Sequence, residues 1–212
     1  MSDRRLWDIS QTLRPALPIW PGDTAFSHES RWSMAEGSPV NVGAFRATVH
    51  AGAHADAPLH YSPGAADIAE VALEPYIGVC QLVDARAAGE AIEVAFLETL
   101  PAAPFERMLF RTFAAFPHDA WPTSFTTVSA SAVDWLAARG TVLIGVDSPS
   151  LDPETSKTMA AHRAVLAAGM RVLEGLVLDA PPPGVYELIA PPLKLAGLDA
   201  SPVRAVLREI AA

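Results

Sequence analysis

The chain has 212 residues, a mass of 22.4 kDa and a formal net charge of -9, with 50% of its residues hydrophobic and 18% charged. Such a chain is expected to fold as one globular domain that buries its core without staples, so a metal found here would serve chemistry rather than folding. The acidity argues against nucleic acid, which needs clustered Lys and Arg; the lone Cys80 rules out an intramolecular disulfide; and no window approaches the roughly 20 apolar residues of a membrane span.

The start, MSDRRLWDISQTL, lacks an apolar run that could act as a signal peptide, so the cytoplasm is the expected compartment. Short β-like runs then follow in order: LWDIS at 6 to 10, GAFRATVH at 43 to 50, IGVCQLVDA at 77 to 85 and RMLFRTF at 107 to 113. A helix is expected from Ser131 to a stop at Gly140, followed by a strand in TVLIGVD at 141 to 147. A second helix is expected after Asp152-Pro153, with Met159, His162, Val165 and Leu166 on one face and Gly169 at its end. RVLEGLVL at 171 to 178 and VRAVLREI at 203 to 210 complete the strands. Strands outnumber helices and the helices lie late, which favours a single mixed α/β domain over 1–212 rather than regular βαβ alternation.

The stretch VHAGAHADAPLHY, residues 49 to 61, holds three of the six histidines in the chain. Gly52 and Pro58 disfavour a continuous helix, and with a period of two the odd positions from Val49 to Tyr61 are all apolar. His50, His54, Asp56 and His60 then share the other face, with bends at Gly52 and Pro58 that draw them together. Imidazole and carboxylate are the ligands that suit zinc and similar divalent ions. A lone histidine here would be read as solvated or hydrogen-bonded to backbone, but four such groups beside small apolar residues form a costly cluster without a cation.

Two later residues extend the set. His162, taken alone, is read as a hydrogen-bonded core histidine. Glu174 shares its face with Val172, Leu176 and Leu178, so its carboxylate needs a partner; it is either protonated or a metal ligand. With both included, the ligands exceed the four of a structural zinc site, which points to two metals sharing carboxylates. His28 and His118 are expected to be solvated, and Phe113, Phe116 and Trp121 are expected in the core or an interface, with pocket walls as the other reading. No G-x-S-x-G elbow, phosphate-binding loop or G-x-G-x-x-G turn is present, so serine-hydrolase and nucleotide chemistry have no anchor.

HAGAHADAPLH, residues 50 to 60, resembles the motif of the cyclase-like metal-dependent hydrolases, which runs His, any, Gly, Thr, His, any, Asp, any, Pro, any, His. Ala53 stands where Thr is usual, at a position that is not a ligand. Within that family the resemblance extends through LWDISQTL, IWPGDT, the His162 helix and LEGL around Glu174 to bacterial members that hydrolyse aryl formamides. It implies a swivelling β/β/α fold with a mixed sheet, a homodimer, and two zinc ions per subunit, for which manganese could substitute. His50, His54, Asp56 and Glu174 would hold one ion, and Asp56, His162 and Glu174 the other. His60 would be the catalytic acid or base, and Trp20 would line the substrate pocket. The implied reaction is hydrolysis of a small aromatic formamide, N-formyl-L-kynurenine, with another aryl amide, cyclic amide or lactone as the alternative substrate.

Overall fold

The structure is a computed structural model that describes residues 4–100 and 106–210; the rest of the 1–212 span lies outside the described residues. Its strands are β1 (Leu6–Asp8), β2 (Ser27–Trp32), β3 (Val42–Arg46), β4 (His54–Asp56), β5 (Ile77–Asp84), β6 (Ala91–Ile92) and β7 (Arg107–Arg111). They continue with β8 (Thr127–Val128), β9 (Leu143–Val146), β10 (Arg171–Glu174), β11 (Gly184–Ile189), β12 (Ala200–Pro202) and β13 (Val206–Glu209). Three helices accompany them: α1 (Val94–Leu97), α2 (Ala130–Ala137) and α3 (Ala160–Ala167). Nine strands form one mixed sheet in the order β1-β13-β11-β5-β7-β9-β10-β4-β12, in which β5, β7, β9 and β10 run parallel to one another. None of the described helices is long and apolar enough to cross a membrane.

Alternation along the central strands divides the core in two. Met108 and Phe110 of β7, Ile144 and Val146 of β9, and Val172 of β10 meet Ala132, Val133 and Leu136 of α2 and Ala161 and Val165 of α3. Leu109, Leu143 and Leu173 point the opposite way and join Ala53, Ala55, Leu82, Leu188 and Leu207. None of the three α-helices contributes to that second cluster, so the sheet covers this face by curling its own strands around it.

Several sequence expectations shift in the structure. The period-two ribbon at 49–61 is a strand only across β4; a turn covers 49–50, Gly52 takes φ 66°, and Pro58–His60 is a 3-10 turn. The second helix starts at Ala160, seven residues after Pro153, and Met159 precedes it in the left-handed region at φ 49° rather than sharing its face. Past Glu174 the chain turns at Gly175, so Leu176 and Leu178 pack in the curled-sheet core while Val172 stays on the helix side. The run expected at 43 to 50 is realised as β3, but its partner β2 and the interior sheet strand β11 have no counterpart among the expected strands; β2 and β3 pair only with each other among the described strands.

Candidate metal centre

β4 lies between β10 and β12, and its antiparallel register against β10 sets Glu174 directly opposite His54. Asp56, two residues along β4, therefore shares that face and lies diagonally from Glu174. The turn before β4 can close onto the end of β10 because both partners are glycine: a Cβ on Gly175 would lie 2.6 Å from the Gly52 carbonyl oxygen. Both residues also have φ near +65°, which favours glycine. His162 arrives from the first turn of α3. Asp152 accepts from the backbone N–H groups of Ala161 and His162, both at 3.1 Å, and so caps that helix from outside.

The three imidazoles closest to the carboxylates are each fixed through one ring nitrogen, which leaves the other facing a carboxylate. His54 Nδ1 donates to the Gly52 carbonyl at 2.9 Å, with Nε2 3.4 Å from Glu174 and 3.5 Å from Asp56. His162 Nδ1 donates to Asp152 at 2.7 Å, with Nε2 3.2 Å from Glu174 and 3.5 Å from Asp56. His50 Nε2 donates to Asp199 at 3.0 Å, with Nδ1 3.1 Å from Asp56. Locking one nitrogen to an oxygen so that the other presents its lone pair is the usual support of a metal-ligating histidine.

Among the described residues three sets of potential ligand atoms each lie within 4.8 Å of one another: His50–His60–Asp199 toward the rim and, on the floor, His50–His54–Asp56 and Asp56–His162–Glu174. Asp56 belongs to both floor sets and is 1% exposed, yet among the described residues neither of its carboxylate oxygens has a hydrogen-bond partner, and neither does His162 Nε2. Leaving such buried groups unpaired costs several kcal/mol by rough estimate, and a cation removes the cost. The residues therefore fit a divalent ion in each floor set.

The local charges agree. Burial disfavours the His50 cation, but the Asp56 and Asp199 carboxylates outweigh it and raise its pKa to about 10. Burial likewise opposes a charge on His162, and its hydrogen bond to Asp152 with the Asp56 and Glu174 carboxylates carries the net shift upward. Asp56 resists ionisation through burial, yet the surrounding imidazoles hold its carboxyl well below the usual range. Glu174 is pushed up by burial and by Asp56 and pulled down further by His162 and His54. Without an ion, the carboxylates thus draw positive charge onto the imidazoles as protons, and a divalent ion binding there would displace those protons.

The centre forms the floor of a cavity of about 320 Å³. Trp20 lines it, as do Phe113, Phe116 and Trp121, which the sequence reading had assigned to the core or an interface. Trp20 and Trp121 meet edge to face with centroids 5.5 Å apart, and Trp121 Nε1 donates to Glu154 at 3.1 Å. Asp147, buried at the end of β9, accepts from the Thr112 and Phe113 N–H groups, each at 2.9 Å, and holds the Phe113 wall in place. His60 sits at the exposed rim, its ring centroid 4.3 Å from that of His50, and its Nδ1 donates to Asp199 at 2.9 Å. His28 lies on the exposed β2 strand and His118 on an exposed loop.

Asp152 and Asp199 went unrecognised as site residues in the sequence. Asp152 was visible only as a helix-start signal, and Asp199 is a lone acid in GLDASP. The β4–β12 register, Asp56 opposite Ala200, is what carries Asp199 to the site.

The fold and the histidine-carboxylate centre define a metal-dependent hydrolase of the cyclase type, and the chain belongs to the family described as "Putative cyclase", whose model matches residues 7–153. Among its relatives are the kynurenine formamidase of Erythrobacter litoralis, 54% identical over 99% of this chain and 96% of that protein, and the kynurenine formamidase of Sphingopyxis alaskensis, 54% identical over 98% and 99%. A solved structure of a "predicted metal-dependent hydrolase" from Bacillus stearothermophilus superposes with a TM-score of 0.84 at 26% identity, covering 99% of this chain and 100% of that one. The mixed, curled sheet is thus the cyclase-like architecture expected from the resemblance.

Proposed function

We propose that the chain, acting as one domain over 1–212 in the cytoplasm, hydrolyses N-formyl-L-kynurenine to L-kynurenine and formate. The observation that carries this reading is Asp56: both its buried oxygens lack hydrogen-bond partners among the described residues, Oδ1 faces His50 and His54, Oδ2 faces His162, and those three histidines with Glu174 line an aromatic-walled cavity. The full-length similarity to two kynurenine formamidases supports the choice of substrate.

His50, His54, Asp56 and Glu174 would hold one ion and Asp56, His162 and Glu174 the second, both zinc in the first instance, although this ligand set also accepts manganese. Ions held there would supply Lewis acidity, lowering the pKa of water to about 7 and polarising a carbonyl oxygen. His60 takes the proton of the attacking water and returns it to the aryl nitrogen as the formamide C–N bond breaks. Trp20 and Trp121 offer ring faces and edges to the aromatic amine, and the surrounding apolar walls exclude water from the reacting bond. A homodimer accompanies this reading. The β2–β3 ribbon exposes Trp32 (60%) and Phe45 (64%) and pairs with no other described strand, and an isolated two-stranded ribbon gains stability when covered.

The test is an assay of purified, zinc-loaded protein against N-formyl-L-kynurenine beside unrelated aryl amides and lactones, each with and without chelator. Chelator-sensitive release of L-kynurenine, with the other substrates slower, is the expected result. Equal rates on all of them would leave only a metal hydrolase of this family, and no release would end the proposal.

A further inference from the structure

We infer that Asp199 is a positioning residue which uses one carboxylate oxygen to set the tautomers of two histidines with different tasks, the rim acid-base His60 and the floor ligand His50. The inference rests on the roles proposed above for those histidines. Its observation is a shared acceptor: Asp199 Oδ2 lies 2.9 Å from His60 Nδ1 and 3.0 Å from His50 Nε2. A neutral imidazole carries one N–H, and the nitrogen that donates leaves the other with its lone pair. Donation from His60 Nδ1 therefore leaves Nε2 to exchange protons with the substrate. Donation from His50 Nε2 leaves Nδ1 on the Asp56 side. Among the described residues Asp199 is the one hydrogen-bond partner of the His60 ring.

The backbone makes Asp199 a rigid platform. Its carbonyl accepts from Ala57 N–H at 2.8 Å, Ala200 pairs with Asp56 in the β4–β12 ladder, and the preceding Leu198 carbonyl accepts from Ile68 N–H at 2.9 Å. None of these bonds uses the side chain, which is 37% exposed, so its loss need not disturb the strand. The two imidazoles are thereby spaced by a single oxygen, and the proton carrier is registered against the metal floor rather than left to rotate at the rim.

The test compares wild type with Asp199→Ala and Asp199→Asn, each loaded at saturating zinc. The alanine variant should lose about 10²-fold in kcat with KM within about threefold, because the group lost acts in the proton transfer and not in substrate binding. The asparagine variant retains a neutral acceptor and should lose about tenfold. Zinc affinity of the alanine variant should weaken by about 10- to 100-fold through His50, with the full metal content regained at saturation. Nitrogen-resolved NMR of the imidazoles supplies a readout independent of turnover: His60 should be Nδ1-protonated in wild type and shift toward the Nε2-protonated form in Asp199→Ala. Unchanged kcat in the alanine variant, an unchanged His60 tautomer, or permanent loss of a whole metal equivalent would each overturn the inference, the last by making Asp199 a ligand. A wild type that fails to release L-kynurenine would refute the proposed activity, while tautomer and zinc affinity would still decide the part played by Asp199.

Discussion

The floor and the rim of the cavity are built on opposite terms. On the floor, His54, Asp56, His162 and Glu174 are all buried and come from two paired strands and a capped helix, and three of their fully buried polar atoms have no hydrogen-bond partner among the described residues. At the rim, His60 and Trp121 stand on turns and loops, and their ring N–H groups reach Asp199 and Glu154. A floor with unmet polar demand is prepared for cations that the protein itself does not supply. A rim whose ring N–H groups are already paired contributes shape and one movable proton. Chemistry and selectivity are thus assigned to parts of the molecule with different rigidity, and they should fail separately.

Replacing the shared floor carboxylate tests this most severely. Asp56→Ala should lose both metals and at least about 10³-fold of activity, since one side chain serves both ligand sets. At the rim, His60→Ala should retain full metal content by elemental analysis and still lose about 10²- to 10³-fold in kcat. Equal metal loss in these two variants would erase the distinction between floor and rim. Stripping the ions with a chelator should lower the midpoint of thermal unfolding by about 5–10 °C, an amount consistent with a ligand near 100 times its Kd acting on a domain of this size, and zinc should restore it. Calorimetry of the stripped and reloaded protein checks this, and an unchanged midpoint would mean that the floor does not need its cations. Trp20→Ala should raise KM about tenfold with metal content and kcat little changed. The smallest effect is expected far from both regions: burial pushes the Cys80 thiol up to about 12, so at pH 8 it remains a protonated thiol, and thiol reagents should leave the native protein unlabelled and active.

The two regions also differed in how openly the sequence showed them. His50, His54, Asp56 and His60 fall within eleven residues, and ligand chemistry crowded into one run is visible without a fold. Glu174 was conspicuous because a carboxylate stood among Val172, Leu176 and Leu178, and burial does remove it from water. Phe113, Phe116 and Trp121 gave no comparable sign, since an aromatic residue reads the same whether it fills a core or walls a cavity. β11 was not expected although GVYELI alternates, and β2, exposed along its whole length, carries no buried face whose periodicity could reveal it.

What the sequence determined by itself is the chemical inventory and its local spacing: small residues on one side of a short strand, imidazoles and a carboxylate on the other, and a lone acid in an apolar run. Those features follow from the two-residue repeat of extended chain and the cost of burying charge, both local effects. Only the tertiary structure decided which acids answer which histidines. Asp199 reaches His50 and His60 across 149 and 139 positions of chain because β12 pairs with β4, and Glu174 faces His54 because β10 pairs with it on the other side. Strand register is a property of the whole folded sheet, and a slip of one residue would turn each of these side chains to the opposite face.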